Sequence, residues 1–292
     1  MEAMLLREIA SFKDNPTPLT LEEMDEPRLG NGEVLLRVTR CGVCHTELDE
    51  IEGRTLPPHL PVVLGHQVVG IVESVSSPAH SQEQAPAIQK GQRVGVAWIA
   101  SACGKCHHCL VGNENLCAEF KATGRDVDGG YAGYMKVRAE FAHPIPDAFT
   151  DSEAAPLLCA GAIGYRSMRL SNIRDGQNLG LMGFGGSNHL VLKIVRYKYP
   201  NAKVFVFSRN PSEREFALSL GAAWAGAIDQ RPLEGLDAVI DTTPVWGPVS
   251  EALKVLSPGG RLVINAIRKE ESDKEVLSSL DYPSQLWMEK EI

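Results

Sequence analysis

Gly183–Leu190 reads GFGGSNHL, and it leaves the apolar run Leu179–Phe184 and opens a segment with helical patterning. A glycine motif in the turn from a strand to a helix is the setting in which such motifs carry meaning. Glycines let backbone approach a pyrophosphate, and the following helix offers unpaired amides and the positive end of its dipole. Gly183 and Gly185 occupy the first two positions of the G-x-G-x-x-G pattern, with Gly186 beside them. The third position, where a small residue permits close helix-on-strand packing, is Asn188. The alternative reading is a tight strand-to-helix turn with no ligand.

Outward from this turn, apolar runs recur at Val204–Phe207, Ala238–Ile240 and Leu262–Ile267, with a shorter one at Trp224–Ile228, and helical patterns separate them. Strands alternating with helices of this length predict a parallel sheet covered on both faces, an α/β doubly wound fold. The expected second strand ends in Ser208 and Arg209. An acid there would bind the ribose of NAD, whereas a hydroxyl followed by a guanidinium suits a 2'-phosphate, so NADP is favoured. The other reading of Arg209 is a solvated surface side chain.

Upstream the character changes. Val34–Thr39 and Val68–Val75 are valine-rich and punctuated by glycine, which predicts short strands of a β-rich domain. A helix is expected over Ser152–Leu170, and Ser76–Lys90 (SSPAHSQEQAPAIQK) reads as an exposed loop. The boundary belongs near 145–151, giving domains 1–150 and 151–292.

The β-rich half carries Cys103, Cys106, Cys109 and Cys117 in a C-x-x-C-x-x-C pattern with a fourth cysteine eight residues on. Four thiolates so spaced can enclose one zinc tetrahedrally, leaving no open position, so this zinc would be structural. The rival is a disulfide cluster. The first thirty residues show no secretory signal, so the expectation is a cytoplasmic chain with its thiols reduced.

With 37 acidic and 29 basic residues the formal net charge is -8, and no basic block offsets it, which points away from nucleic acid. No apolar stretch approaches the ~20 residues needed to cross a bilayer, and neither end has a lipidation motif.

CGVCHTEL (Cys41–Leu48), GHQVVG (Gly65–Gly70), the 103–117 cysteines, DGGYAGYM (Asp128–Met135), AAPLLCAG (Ala154–Gly161) and GFGGSNHL follow one another in a specific order. In this the chain resembles the zinc-dependent medium-chain alcohol dehydrogenases, over nearly its whole length. The resemblance implies a GroES-like catalytic domain with a zinc lobe, followed by a Rossmann domain. It implies two zinc ions per chain, a catalytic one on Cys44, His66 and Cys159 and a structural one on Cys103, Cys106, Cys109 and Cys117. Six of the seven cysteines are thereby assigned, and Cys41 is left as a buried thiol.

The expected reaction is hydride transfer between a primary alcohol or aldehyde and NADP(H), with zinc as Lewis acid on the substrate oxygen. Thr46 matches the hydroxyl that takes the substrate proton and His45 a position near the pyrophosphate, and Glu47 is placed to orient His66 through its second nitrogen. The rival readings of these three are helix capping and ordinary surface polarity.

The chain departs from the pattern at Gln67, where the family has an acid, and at Asp49, where many members have a relay histidine. It also stops after LWMEKEI, where members usually continue through the last strand of the sheet, often a dimer contact, and a return segment. The expectation is therefore a possible homo-oligomer without its usual dimer strand, and it motivates an alternative: a non-catalytic zinc- and nucleotide-binding protein. Reductases of activated double bonds share the fold, but commonly lack the zinc ligands found here.

Overall fold

A computed structural model describes residues 1–76, 88–266, 268–278 and 290–291. The chain divides into two compact units, Met1–Cys159 and Ala160–Ile292.

In the first unit, β1 (Glu2–Leu6) pairs antiparallel with β2 (Leu19–Glu23) and with β4 (Val62–Val63). The main sheet contains β3 (Glu33–Cys41), β5 (Val68–Val75), β6 (Arg93–Val96), β9 (Tyr134–Arg138) and β10 (Ala142–Pro144), in the antiparallel order β10-β6-β5-β3-β9. Alternation decides which face is buried: Val34 and Leu36 of β3 turn inward with Val68 and Val72 of β5, Val94 and Val96 of β6, and Met135 and Val137 of β9. Between β3 and β4 lies α1 (His45–Ile51). The small pair β7 (Ile99–Ser101) and β8 (Lys121–Ala122) closes the base of the cysteine lobe, which contains α2 (His107–Leu110).

The helix expected over Ser152–Leu170 is instead three pieces. Thr150 caps α3 (Asp151–Ala154) through a capping box with Glu153, a 3-10 turn follows over Ala155–Leu158, and α4 begins only at Ala160. Pro156 explains the break, because it has no N–H to donate back into the turn. Cys159, at φ -123° and ψ -78°, leaves helical geometry.

In the second unit, α4 (Ala160–Ser171) precedes a six-stranded sheet in the order β13-β12-β11-β14-β15-β16, every pair parallel. Its strands are β11 (Asn178–Met182), β12 (Lys203–Phe207), β13 (Trp224–Gly226), β14 (Leu236–Asp241), β15 (Leu256–Ile264) and β16 (Lys290–Glu291). This is the strand order of the Rossmann fold. Val204 and Val206 of β12 pack with α4, α5 (Gly186–Lys198) and α6 (Pro211–Ser219) on one face; Phe205 and Phe207 pack on the other with α7 (Gly247–Val255). A short helix, α8 (Glu275–Ser278), follows.

The strand predicted at Leu262–Ile267 begins earlier, at Leu256, with an irregularity in register between Leu236 and Ala238 of its partner. Ile267 lies outside the described residues, as does most of the predicted 76–90 loop and of LWMEKEI, where β16 nevertheless pairs with β15. Among the described residues no helix is long and apolar enough to cross a membrane.

Candidate metal centres and nucleotide turn

The α1 helix starts on a sulfur. Cys44 is its N-cap, its Sγ accepting the Thr46 N–H at 3.4 Å, while Glu47 Oε2 accepts the Cys44 N–H at 2.8 Å. This capping box fixes Cys44 at the helix entrance and buries Thr46 and Glu47 in the first turn.

His66 arrives from the other side, on Gly65. That glycine has φ +98°, and a Cβ on it would fall 2.6 Å from the Tyr131 ring and 2.8 Å from Cys41 Sγ. The facing segment is equally close: Gly129 N donates to Val63 O, Gly130 N to Gly65 O and Tyr131 N to Leu64 O, at 2.7–2.9 Å. GHQ and DGGY are therefore two lines of backbone packed without side chains between them, and this puts His66 opposite Cys44.

Cys44 Sγ and His66 Nε2 are 3.7 Å apart, and with Cys159 Sγ the three donor atoms all lie within 4.8 Å of one another. Tetrahedral zinc with Zn–S bonds of about 2.3 Å requires ligand separations of roughly 3.8 Å, so the donor set fits that ion. On its far side, His66 Nδ1 lies 2.6 Å from Glu47 Oε1, both side chains almost fully buried. Neither atom has another hydrogen-bonding partner, so this charged contact answers the burial of both.

The protonation states agree with a site shaped for a cation. Cys44 is held far below the usual thiol range, at about 3, first by the Cys159 thiol and then by His66. Cys159 is pushed upward by the same contact. Burial works to lower the imidazole of His66, but Cys44 and Glu47 outweigh it and hold it up at about 10. Protons thus occupy positions that a dication would take over.

Around this trio, Asp49 is not free for a relay, since Arg54 Nε donates to its Oδ1 at 2.5 Å. Gln67 is buried and its Nε2 has no hydrogen-bonding partner. His45 is exposed. Cys41 behaves as a buried thiol, pushed up to about 12 chiefly by burial. The sequence reading missed Glu50, which is fully buried one helical turn beyond Thr46 with neither carboxylate oxygen hydrogen-bonded.

Cys103, Cys106, Cys109 and Cys117 form a second cluster within the same 4.8 Å limit, with Sγ separations of 3.8 Å (Cys103–Cys109) and 3.5 Å (Cys106–Cys109). All four cysteines are free thiols. Backbone amides turn inward: Cys106 N–H donates to Cys103 Sγ at 3.4 Å, and Cys103 and Glu119 N–H donate to Cys117 Sγ at 3.5 and 3.4 Å. Amides of Lys105 and Cys106 hold the Cys103 thiol down at about 6. Four converging sulfurs fit a closed tetrahedral zinc site.

In the second unit the glycine turn leaves β11, next to the point where chain order reverses across the sheet. Gly183 has φ +77° and donates its N–H to Phe207 O at 2.8 Å. Gly185 is the N-cap of α5, with no side-chain cap, so the first amides of the helix remain available to an anion. Asn188 is fully buried beneath the turn.

At the end of β12, Ser208 Oγ donates to Glu213 Oε2 at 2.5 Å and accepts the Asn210 N–H, while Arg209 is exposed. The Ser208 hydroxyl, expected to face a 2'-phosphate, is engaged by a carboxylate instead.

The profile of the alcohol dehydrogenase GroES-like domain matches residues 30–147. A Mycobacterium tuberculosis protein named as a probable alcohol dehydrogenase is 42% identical over 267 residues, 91% of this chain and 75% of that protein. An alcohol dehydrogenase of Geobacillus stearothermophilus is 35% identical over 255 residues, 84% of this chain and 73% of that protein. Among solved structures, the cobalt- and zinc-bound thermostable alcohol dehydrogenase of Pyrobaculum aerophilum superimposes with a TM-score of 0.79 at 25% identity, covering 96% of this chain and 81% of that one.

Proposed function

The chain belongs to the zinc-type medium-chain alcohol dehydrogenase family, and from that premise we propose that it is a zinc-dependent alcohol dehydrogenase moving hydride between a primary alcohol or aldehyde and NADP(H). The observation that carries this reading is the convergence of Cys44, His66 and Cys159, three donors that leave a fourth position for substrate. When bound, zinc supplies a Lewis acid for the substrate oxygen, and the nicotinamide supplies the hydride acceptor or donor.

The remaining work falls to the chain. Cys44 and Cys159 hold zinc as thiolates and balance its charge, and His66 binds through Nε2 while Glu47 fixes the ring from behind. The Thr46 hydroxyl, in the first turn of α1, takes the substrate proton and passes it toward solvent, and returns it in the aldehyde direction. Asp49, paired with Arg54, takes no part in that transfer. The amides at the start of α5, freed by Gly185 and Gly186, bind the pyrophosphate. With Ser208 engaged by Glu213, exposed Arg209 alone supports the preference for a 2'-phosphate. The cysteine lobe holds a second, structural zinc.

Cys44→Ser tests the mechanism. Turnover of a series of primary alcohols with NADP+ should be abolished, with NADPH binding preserved, and full activity in the variant would overturn the zinc mechanism. In the same assay on the native chain, a higher kcat/KM with NAD+ than with NADP+ would overturn the nucleotide preference.

A further inference from the structure

Asn188 occupies the position at which a nucleotide turn of this kind ordinarily requires a small residue, yet it is buried without remainder. Its carboxamide nitrogen explains how. Nδ2 shares its two hydrogens among three acceptors, Met182 O at 3.0 Å, Gly183 O at 2.8 Å and Thr242 Oγ1 at 3.1 Å. The first two acceptors are the last residue of β11 and the first glycine of the turn. The third stands just past the end of β14, the strand that pairs with β11 on the other side of the switch point.

Thr242 closes the loop of bonds, since its N–H and its Oγ1 both reach Met182 O at 3.2 Å. One amide group thus fastens the glycine turn to two neighbouring strand ends. The strand end is itself anchored: Asp241 accepts from Thr243 N and Oγ1, and the Lys269 ammonium bonds Asp241, Thr243 O at 2.8 Å and Val245 O at 2.9 Å.

We propose that Asn188 is a positioning residue for nucleotide binding, whose tie from the α5 helix to Met182, Gly183 and Thr242 holds the Gly183–Gly186 turn in the shape that presents the first amides of α5 to a pyrophosphate. The inference rests on the nucleotide reading given above. Small size at this position normally serves packing alone. Here the space is filled by a donor to buried carbonyls, and a truncation would leave Met182 O to Thr242 alone and take the Asn188 bond from Gly183 O, in the turn that must stay rigid.

The two ideas predict opposite outcomes for Asn188→Ala, which restores the small residue of the common pattern. If the tie sets the geometry, NADPH affinity measured by fluorescence titration falls about five- to tenfold, the worth of a lost buried hydrogen bond. The loss should fall on KM for nucleotide rather than on kcat, with zinc content unchanged. Thr242→Val should weaken binding in the same direction, Thr242→Ser should restore it, and the double variant Asn188→Ala/Thr242→Val should lose less affinity than the sum of the two single losses, because the two share one bond.

Binding by Asn188→Ala as tight as native, or tighter, would overturn the inference. If that variant does not fold, equal affinities in Thr242→Val and Thr242→Ser would overturn it instead. A native chain that binds neither NADPH nor NADH would remove the nucleotide reading itself, and this inference with it.

Discussion

Glu47 divides its two oxygens between tasks that a sequence presents as alternatives, capping α1 through Oε2 and meeting His66 through Oε1. Three residues on, Glu50 has neither task. Burial raises its carboxyl from the ordinary 4.5 to about 8; the charge of Glu47 adds to this, and that of His66 opposes it.

A group whose folded pKa is raised binds its proton more tightly in the native state, so its contribution is full below the unfolded value and is lost as pH rises through about 8. Glu50→Gln, neutral throughout, should flatten this decline and gain on the native chain by about 2 kcal/mol or more at pH 9, with little difference near pH 4. Thermal melts across that range check it, and parallel pH profiles would refute it.

The clustering of the cysteines and His66 was legible because each sits in a motif. Glu50 was not, since nothing in TELDEIEG separates the carboxylates that face inward from those that face water. Nor was Asn188 legible in its actual role: the pattern marks the position as small, and only the carbonyls around it reveal why an amide fits.

At the scale of elements, the valine-rich run at 68–75 coincides with β5, whereas β15 starts six residues before the apolar run at 262–267 and β6 was not foretold. The helix over 152–170 was misread because its composition is uniformly helix-compatible, and the single informative residue, Pro156, acts on the backbone rather than on the pattern. The break leaves Cys159 outside the helix, where its Sγ lies with Cys44 and His66.

The line-against-line packing at Gly65 and Gly129 was likewise invisible to periodicity, because it depends on two distant segments. A Cβ on Gly129 would lie 2.1 Å from Gly65 O and 2.7 Å from Leu64 O, both backbone atoms that no rotamer change can move. Gly129→Ala should therefore destabilise the chain by about 3 kcal/mol and displace His66, so that metal at the Cys44 site is lost before metal in the cysteine lobe. Native thermal stability and native zinc content in this variant would contradict that account.

For the whole molecule, the apolar runs conveyed an α/β second half, and the resemblance implied the Rossmann fold whose strand order the sheet shows. The two clusters predict separable metals. Chelator-washed protein should contain two zinc ions per chain, and Cys103→Ser should lose the lobe zinc together with several kcal/mol of stability, as removal of a structural ion does. One zinc in the native chain would mean that Cys44, His66 and Cys159 do not hold an ion.

The position of the break at Cys159 bears on how the protein is made. A ribosome releases the chain from its N-terminus, and all seven candidate ligands precede Ala160. Both sets of donors are thus outside the tunnel while the strands of the parallel sheet are still being translated, and early domains fold as units during synthesis. This order would let a metal reach both sets of thiols before the slower, non-local pairing of the parallel strands is complete.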